Sequence, residues 1–152
     1  MNSHDHARAD GVRGRWRIRL GVGMSVGVLL VTHEGVGGAL AAAAKGVMCN
    51  LSLTVGVFEV PWQIGDREHH ATALRLAVRQ LDQGEGVLVL ADIFGATPFN
   101  MACENNPGCV EIRVAGLNLP MLLRVLNYPE KNLRELAEAA RDGGRAGVVL
   151  DA

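Results

Sequence analysis

At 152 residues, 49% of them hydrophobic and 4% aromatic, the chain is long enough to bury one sizeable core and too short for two ordinary domains. Its 15 lysines and arginines stand against 16 aspartates and glutamates, so no basic excess points to nucleic acid or to an anionic membrane surface. Cys49, Cys103 and Cys109 form an odd set without Cys-x-x-Cys spacing, which argues against a disulfide framework and a four-ligand zinc site, and no apolar run reaches the roughly 20 residues that cross a bilayer.

In chain order, residues 1–23 come first, with Arg8, Arg13, Arg15, Arg17 and Arg19 scattered among polar residues without helical or strand periodicity. They read as a disordered or non-native extension, and the organised domain is expected over 24–152. This basic stretch, followed by the apolar 26–31 and by Ala41-Ala42-Ala43, superficially imitates a signal peptide and its cleavage site. The competing explanation is that Met24 is the natural start or that the arm is a dispensable lead-in, because an ordered pattern begins abruptly at Ser25.

From Ser25 onward, short apolar runs alternate with amphipathic stretches, the pattern of an α/β fold. Residues 26–31 and 87–91 are nearly continuous apolar runs, as central parallel strands covered on both faces require. They are expected to be neighbours at the sheet centre. A segment rich in alanine predicts a helix over about 39–48. Residues 53–58 and 110–115 interleave Thr54, Glu111 and Arg113 with apolar positions, so they are placed towards the edges. Between the strands, Leu74, Leu76, Ala77, Val78 and Leu81 include the i, i+3, i+4, i+7 set that makes one apolar helix face, with Asp66 as N-cap. Thr97 and Pro98 read as N-cap and first position of a further helix. Leu133, Leu136, Ala137 and Ala140 repeat the pattern, with Asn132 and Glu135 spaced as a capping box and Gly143-Gly144 as the stop. Val148, Val149 and Leu150 suggest a short last strand. The expected architecture is a doubly wound three-layer sandwich: a mostly parallel sheet of four strands plus that short C-terminal one.

In such a sheet, working residues collect beyond the carboxyl ends of central strands, where the crossovers diverge to opposite faces. His33 closes the first strand and Asp92 the 87–91 strand. If the two strands are adjacent, the carboxylate can hold one imidazole nitrogen while the other stays free to attack. The glycines after His33, Gly35 among them, and the Gly95-Ala96-Thr97 turn would aim helix N-termini at the same point and offer N–H groups to an anion. A phosphoryl group fits that setting, and the chemistry needs no metal and no cofactor. Taken singly, each feature has a plainer reading: a structural histidine, a capping aspartate, glycines that serve tight turns. Their coincidence at one sheet edge gives them weight.

Three stretches, Val31-Thr32-His33-Glu34-Gly35, Asp92-Ile93-Phe94-Gly95-Ala96-Thr97-Pro98-Phe99-Asn100 and Ala115-Gly116-Leu117-Asn118-Leu119-Pro120-Met121-Leu122, resemble in order and spacing the mannose/fructose-type IIA domain of the bacterial phosphoenolpyruvate:sugar phosphotransferase system. The resemblance covers about 24–152. It implies a cytoplasmic phosphotransferase whose His33 accepts phosphate from the histidine phosphocarrier protein and donates it to a IIB component, with Asp92 hydrogen-bonding the imidazole and Thr97 near the phosphoryl oxygens. It also implies a homodimer, with the C-terminal strand in the subunit contact, and it places Asn118 and Pro120 in the architecture of the active-site rim and dimer region. Glu34 departs from the small residue or glycine common in the family after the histidine. It sets a negative charge beside the incoming phosphate.

Competing readings are a regulatory phosphoprotein using the same His33 without sugar transport, and the phosphocarrier of dihydroxyacetone kinase, against which the 94–100 motif argues. A flavodoxin-like or nucleotide-binding module is disfavoured, because residues 32–38 contain neither Gly-x-x-x-x-Gly-Lys nor a convincing Gly-x-Gly-x-x-Gly. His69 and His70, adjacent on a helix, point apart and make poor co-ligands for a metal. Trp62, in Val60-Pro61-Trp62, reads as a partner-docking anchor or as a loop side chain folded onto the core.

Overall fold

The computed structural model describes residues 24–104 and 106–151, so the expectation of an unstructured arm over 1–23 lies outside the described residues. Nine elements follow in order: β1 Gly27–His33, α1 Gly37–Val47, β2 Val55–Val60, α2 Arg67–Leu81, β3 Val87–Ala91, α3 Thr97–Ala102, β4 Glu111–Ala115, α4 Leu119–Leu126 and α5 Leu133–Ala146. All pairings are parallel and the sheet order is β2-β1-β3-β4. The two near-continuous apolar strands are thus central neighbours, and the two mixed ones are the edges.

Alternation along the central strands feeds two cores. Val28, Leu30, Leu88 and Leu90 face α1, α4 and α5, meeting Ala44, Leu122, Val125, Leu136 and Ala140. Leu29, Val31, Val87 and Val89 face the other way, onto Leu74, Val78 and Met101 of α2 and α3. A period of two therefore sends successive residues of one strand into different layers. The crossover leaving β1 runs on one face and the one leaving β3 on the other, so the carboxyl ends of β1 and β3 flank the switch point of the sheet.

Caps set the helix starts. Asp66 Oδ1 accepts the His69 N–H at 3.1 Å, and Asn132 and Glu135 close a full capping box at α5. Three expectations are corrected. Thr97 is the first residue of α3, and Ala96, which offers no side-chain cap, holds the N-cap position. Gly143-Gly144 does not stop α5, which runs to Ala146. A Cβ on Gly143 would sit 2.4 Å from Arg124 Cβ, and one on Gly144 would lie 2.7 Å from Met121 Cε, so the pair lets α5 close on α4. Finally, Val148, Val149 and Leu150 form no strand; they follow α5 as an exposed tail and pair with neither β2 nor β4, the two edges of the sheet. α4 itself was not anticipated. Among the described residues, no helix is long and apolar enough to cross a membrane.

Candidate active site

His33 is the last residue of β1, and Asp92 immediately follows β3. The parallel pairing of Val31 with Ala91 brings both side chains to the same edge. Asp92 Oδ2 accepts the backbone N–H of His33 and lies 2.8 Å from His33 Nδ1; Oδ1 accepts the Ile93 N–H, also at 2.8 Å. A carboxylate can only accept, so the ring proton belongs on Nδ1 and the Nε2 lone pair is left unprotonated. The two side chains are 13% and 9% exposed, enough shelter to strengthen the hydrogen bond without closing the imidazole off.

The backbone at His33 is set by Thr32, whose fully buried hydroxyl donates to the His33 carbonyl and accepts the Gly37 N–H, both at 2.9 Å. Gly35, at φ +89°, makes the reversal that lets α1 begin. Gly95 plays the same part after Asp92 at φ +77°, and its carbonyl accepts from Asn100 Nδ2 at 2.8 Å.

The expected pair of open helix N-termini is corrected to one. At α1, Thr32 takes the Gly37 N–H and Glu59 Oε1 takes the Gly38 N–H at 2.8 Å, so those donors are already engaged. At α3 no side chain caps the first turn, and Thr97 stands there exposed. Asn118 caps α4 by accepting the Met121 N–H and donates to the Gly144 carbonyl at 3.1 Å, which commits its carboxamide to the α4–α5 junction. Among the described residues, no group of three or more histidine, cysteine, aspartate or glutamate side chains is placed to hold a metal ion; the rings of His69 and His70 meet edge to face.

The sequence alone does not place Trp62. It is 69% exposed and not folded onto the core, and its indole stacks on the imidazole of His33, with centroids 4.6 Å apart and planes 15° from parallel. The signal that places it is the register of β1 and β2: His33 pairs with Val60, so the residues just past β2 must lie beside the histidine. Ile93 and Phe94, the latter packed against the half-buried Phe99, add exposed apolar surface after Asp92.

Residues 27–140 match the family model EIIA-man, described as the PTS system fructose IIA component. Among solved structures, the mannose/sorbose-specific IIA subunit of the phosphotransferase system from Enterococcus faecalis is 25% identical at a TM-score of 0.73, the match covering 85% of this chain and 96% of that one. A PTS IIA protein associated with the fucose utilization operon from Streptococcus pneumoniae is 22% identical (TM-score 0.61, covering 78% and 90%). A sigma-54 interaction domain protein from Enterococcus faecalis is 16% identical (TM-score 0.64, covering 81% and 93%). These last two show the shared fold alone. With three quarters of its length inside the family model, on a four-stranded parallel sheet with helices on both faces, the chain belongs to the mannose/fructose-type IIA family of phosphotransferase-system components.

Proposed function

We propose that the chain is a phosphoryl relay in the cytoplasm, taking phosphate onto Nε2 of His33 from the histidine phosphocarrier protein and passing it to a IIB component in sugar uptake. The observation that carries this reading is the 2.8 Å contact between His33 Nδ1 and Asp92 at the switch point of the sheet, which leaves Nε2 as the nucleophile. Neutral His33, with its proton on Nδ1, attacks the phosphorus of the donor phosphohistidine. The donor N–P bond breaks, and its electron pair returns to the donor ring, which leaves as neutral imidazole if it entered protonated on its other nitrogen. The new phosphoimidazole is positively charged with its proton still on Nδ1, and the Asp92 carboxylate stabilises that charge where it develops. No proton has to move. Thr97 and the uncapped first turn of α3 would receive phosphoryl oxygens, with Gly95 giving the backbone its turn. Asn118 supports the rim through helix packing. The exposed Val148, Val149 and Leu150 favour a homodimer in which the tail is covered.

The test is to incubate the protein with phosphoenolpyruvate, enzyme I and the histidine phosphocarrier, and then to add a IIB domain. Acid-labile label that appears on the wild type, chases to IIB and is absent from His33→Ala is the expected result. Label that persists in that variant overturns the assignment, and label that never chases to IIB overturns the acceptor.

A further inference from the structure

The relay reading leaves Trp62 without a task. It sits in the loop between β2 and α2, outside both cores, and a large apolar ring that stays mostly exposed forgoes the burial that usually decides where an indole rests. Its contact with His33 is nearly parallel at 4.6 Å, the offset arrangement that aromatic rings favour.

The two contacts to the imidazole restrain different motions. The bond from Nδ1 to Asp92 decides which nitrogen faces inward, yet it lets the ring tilt about the line joining Nδ1 and Oδ2. The stack holds the plane against that tilt. With both in place the Nε2 lone pair has one direction, and the indole closes one face of the ring to water and to a donor arriving out of line. In-line displacement at phosphorus is sensitive to such alignment.

The geometry points to Trp62 as a positioning residue for phosphoryl transfer at His33, acting by holding the plane of the nucleophilic imidazole. This rests on the relay reading of His33. The role needs a flat ring, and apolar bulk of similar size does not supply one. Trp62→Leu therefore lowers the single-turnover rate constant for phosphorylation by the phosphorylated histidine phosphocarrier about fivefold to tenfold, with the donor concentration at half-saturation little changed. Trp62→Phe keeps a stacking face and restores most of the rate. In NMR spectra, the His33 ring protons, assigned by their loss in His33→Ala, are displaced upfield in the wild type and in Trp62→Phe, and not in Trp62→Leu.

Three outcomes overturn the inference alone in a wild type that is labelled: a leucine variant as fast as wild type, a phenylalanine variant as slow as leucine, or an effect confined to half-saturation, which would make Trp62 a docking contact. A wild type that takes no phosphate from a competent donor overturns the relay reading and this inference together.

Discussion

Asp92→Asn probes the site with almost no change of shape. Asp92 accepts three hydrogen bonds, two at Oδ2 from the His33 backbone and ring and one at Oδ1 from Ile93. An asparagine has one accepting oxygen, so either orientation of its amide sets an NH2 against a donor. With the NH2 towards His33, the imidazole can accept from it only by moving its own proton to Nε2, which removes the nucleophilic lone pair. With the oxygen towards His33, the tautomer survives but the charge is gone. A hydrogen bond to a charged group is worth about 1.5–3 kcal/mol, and losing that much from a transition state that turns the ring cationic slows phosphorylation roughly 10- to 200-fold. Rapid-quench transfer from labelled phosphocarrier, at donor concentrations that saturate both proteins, measures this directly. Circular dichroism on the same sample checks that the variant is folded. A folded Asp92→Asn protein within about threefold of wild type, a difference of less than ~0.7 kcal/mol, would refute the reasoning.

Thr32→Val keeps the side-chain shape but strands the Gly37 N–H, while the His33 carbonyl retains Val36 as a donor; urea denaturation should show a loss of about 1–3 kcal/mol, and no loss would mean the buried amide finds another acceptor. Glycine-to-alanine changes should differ in sign with the space available. Gly143→Ala places a methyl 2.4 Å from Arg124 Cβ and costs about 1–3 kcal/mol, whereas Gly46→Ala in α1 meets nothing within 4 Å and stabilises by about 0.5–1 kcal/mol; equal effects in thermal melts would contradict the close α4–α5 contact. Burial first, and then Asp82 and Glu111, raise the pKa of Cys109 above the ordinary 9.0, so its reactive thiolate appears only at higher pH than for an ordinary thiol. Iodoacetamide mapping near pH 8 should find it the slowest of the three cysteines to react, after the exposed Cys49 and Cys103; first modification at Cys109 would sink that account.

Parallel strands buried on both faces are apolar at nearly every position, so the runs in β1 and β3 read as central and the polar interruptions at Glu111 and Arg113 mark an edge. His33 and Asp92 followed from that adjacency, since the end of a central strand is a fixed place. What escaped depended on partners distant in sequence. Gly143-Gly144 reads as a stop until α4 is known to press on it, and α4 is short and carries a proline at its second position, although Asn118 followed two residues later by Pro120 is a usable start signal. The stack of Trp62 on His33 depends on the β1–β2 register, and the capture of Gly38 N–H by Glu59 depends on a carboxylate 21 residues away. Composition and spacing do not encode either contact.

The central claim is a phosphoryl group on one nitrogen of one residue. Phosphorus-31 NMR of the phosphorylated protein, with mass-spectrometric mapping of the modified peptide, tests it most directly. The account predicts a single phosphohistidine at His33 substituted on Nε2; substitution on Nδ1, the atom that faces Asp92, or on any other residue would contradict it.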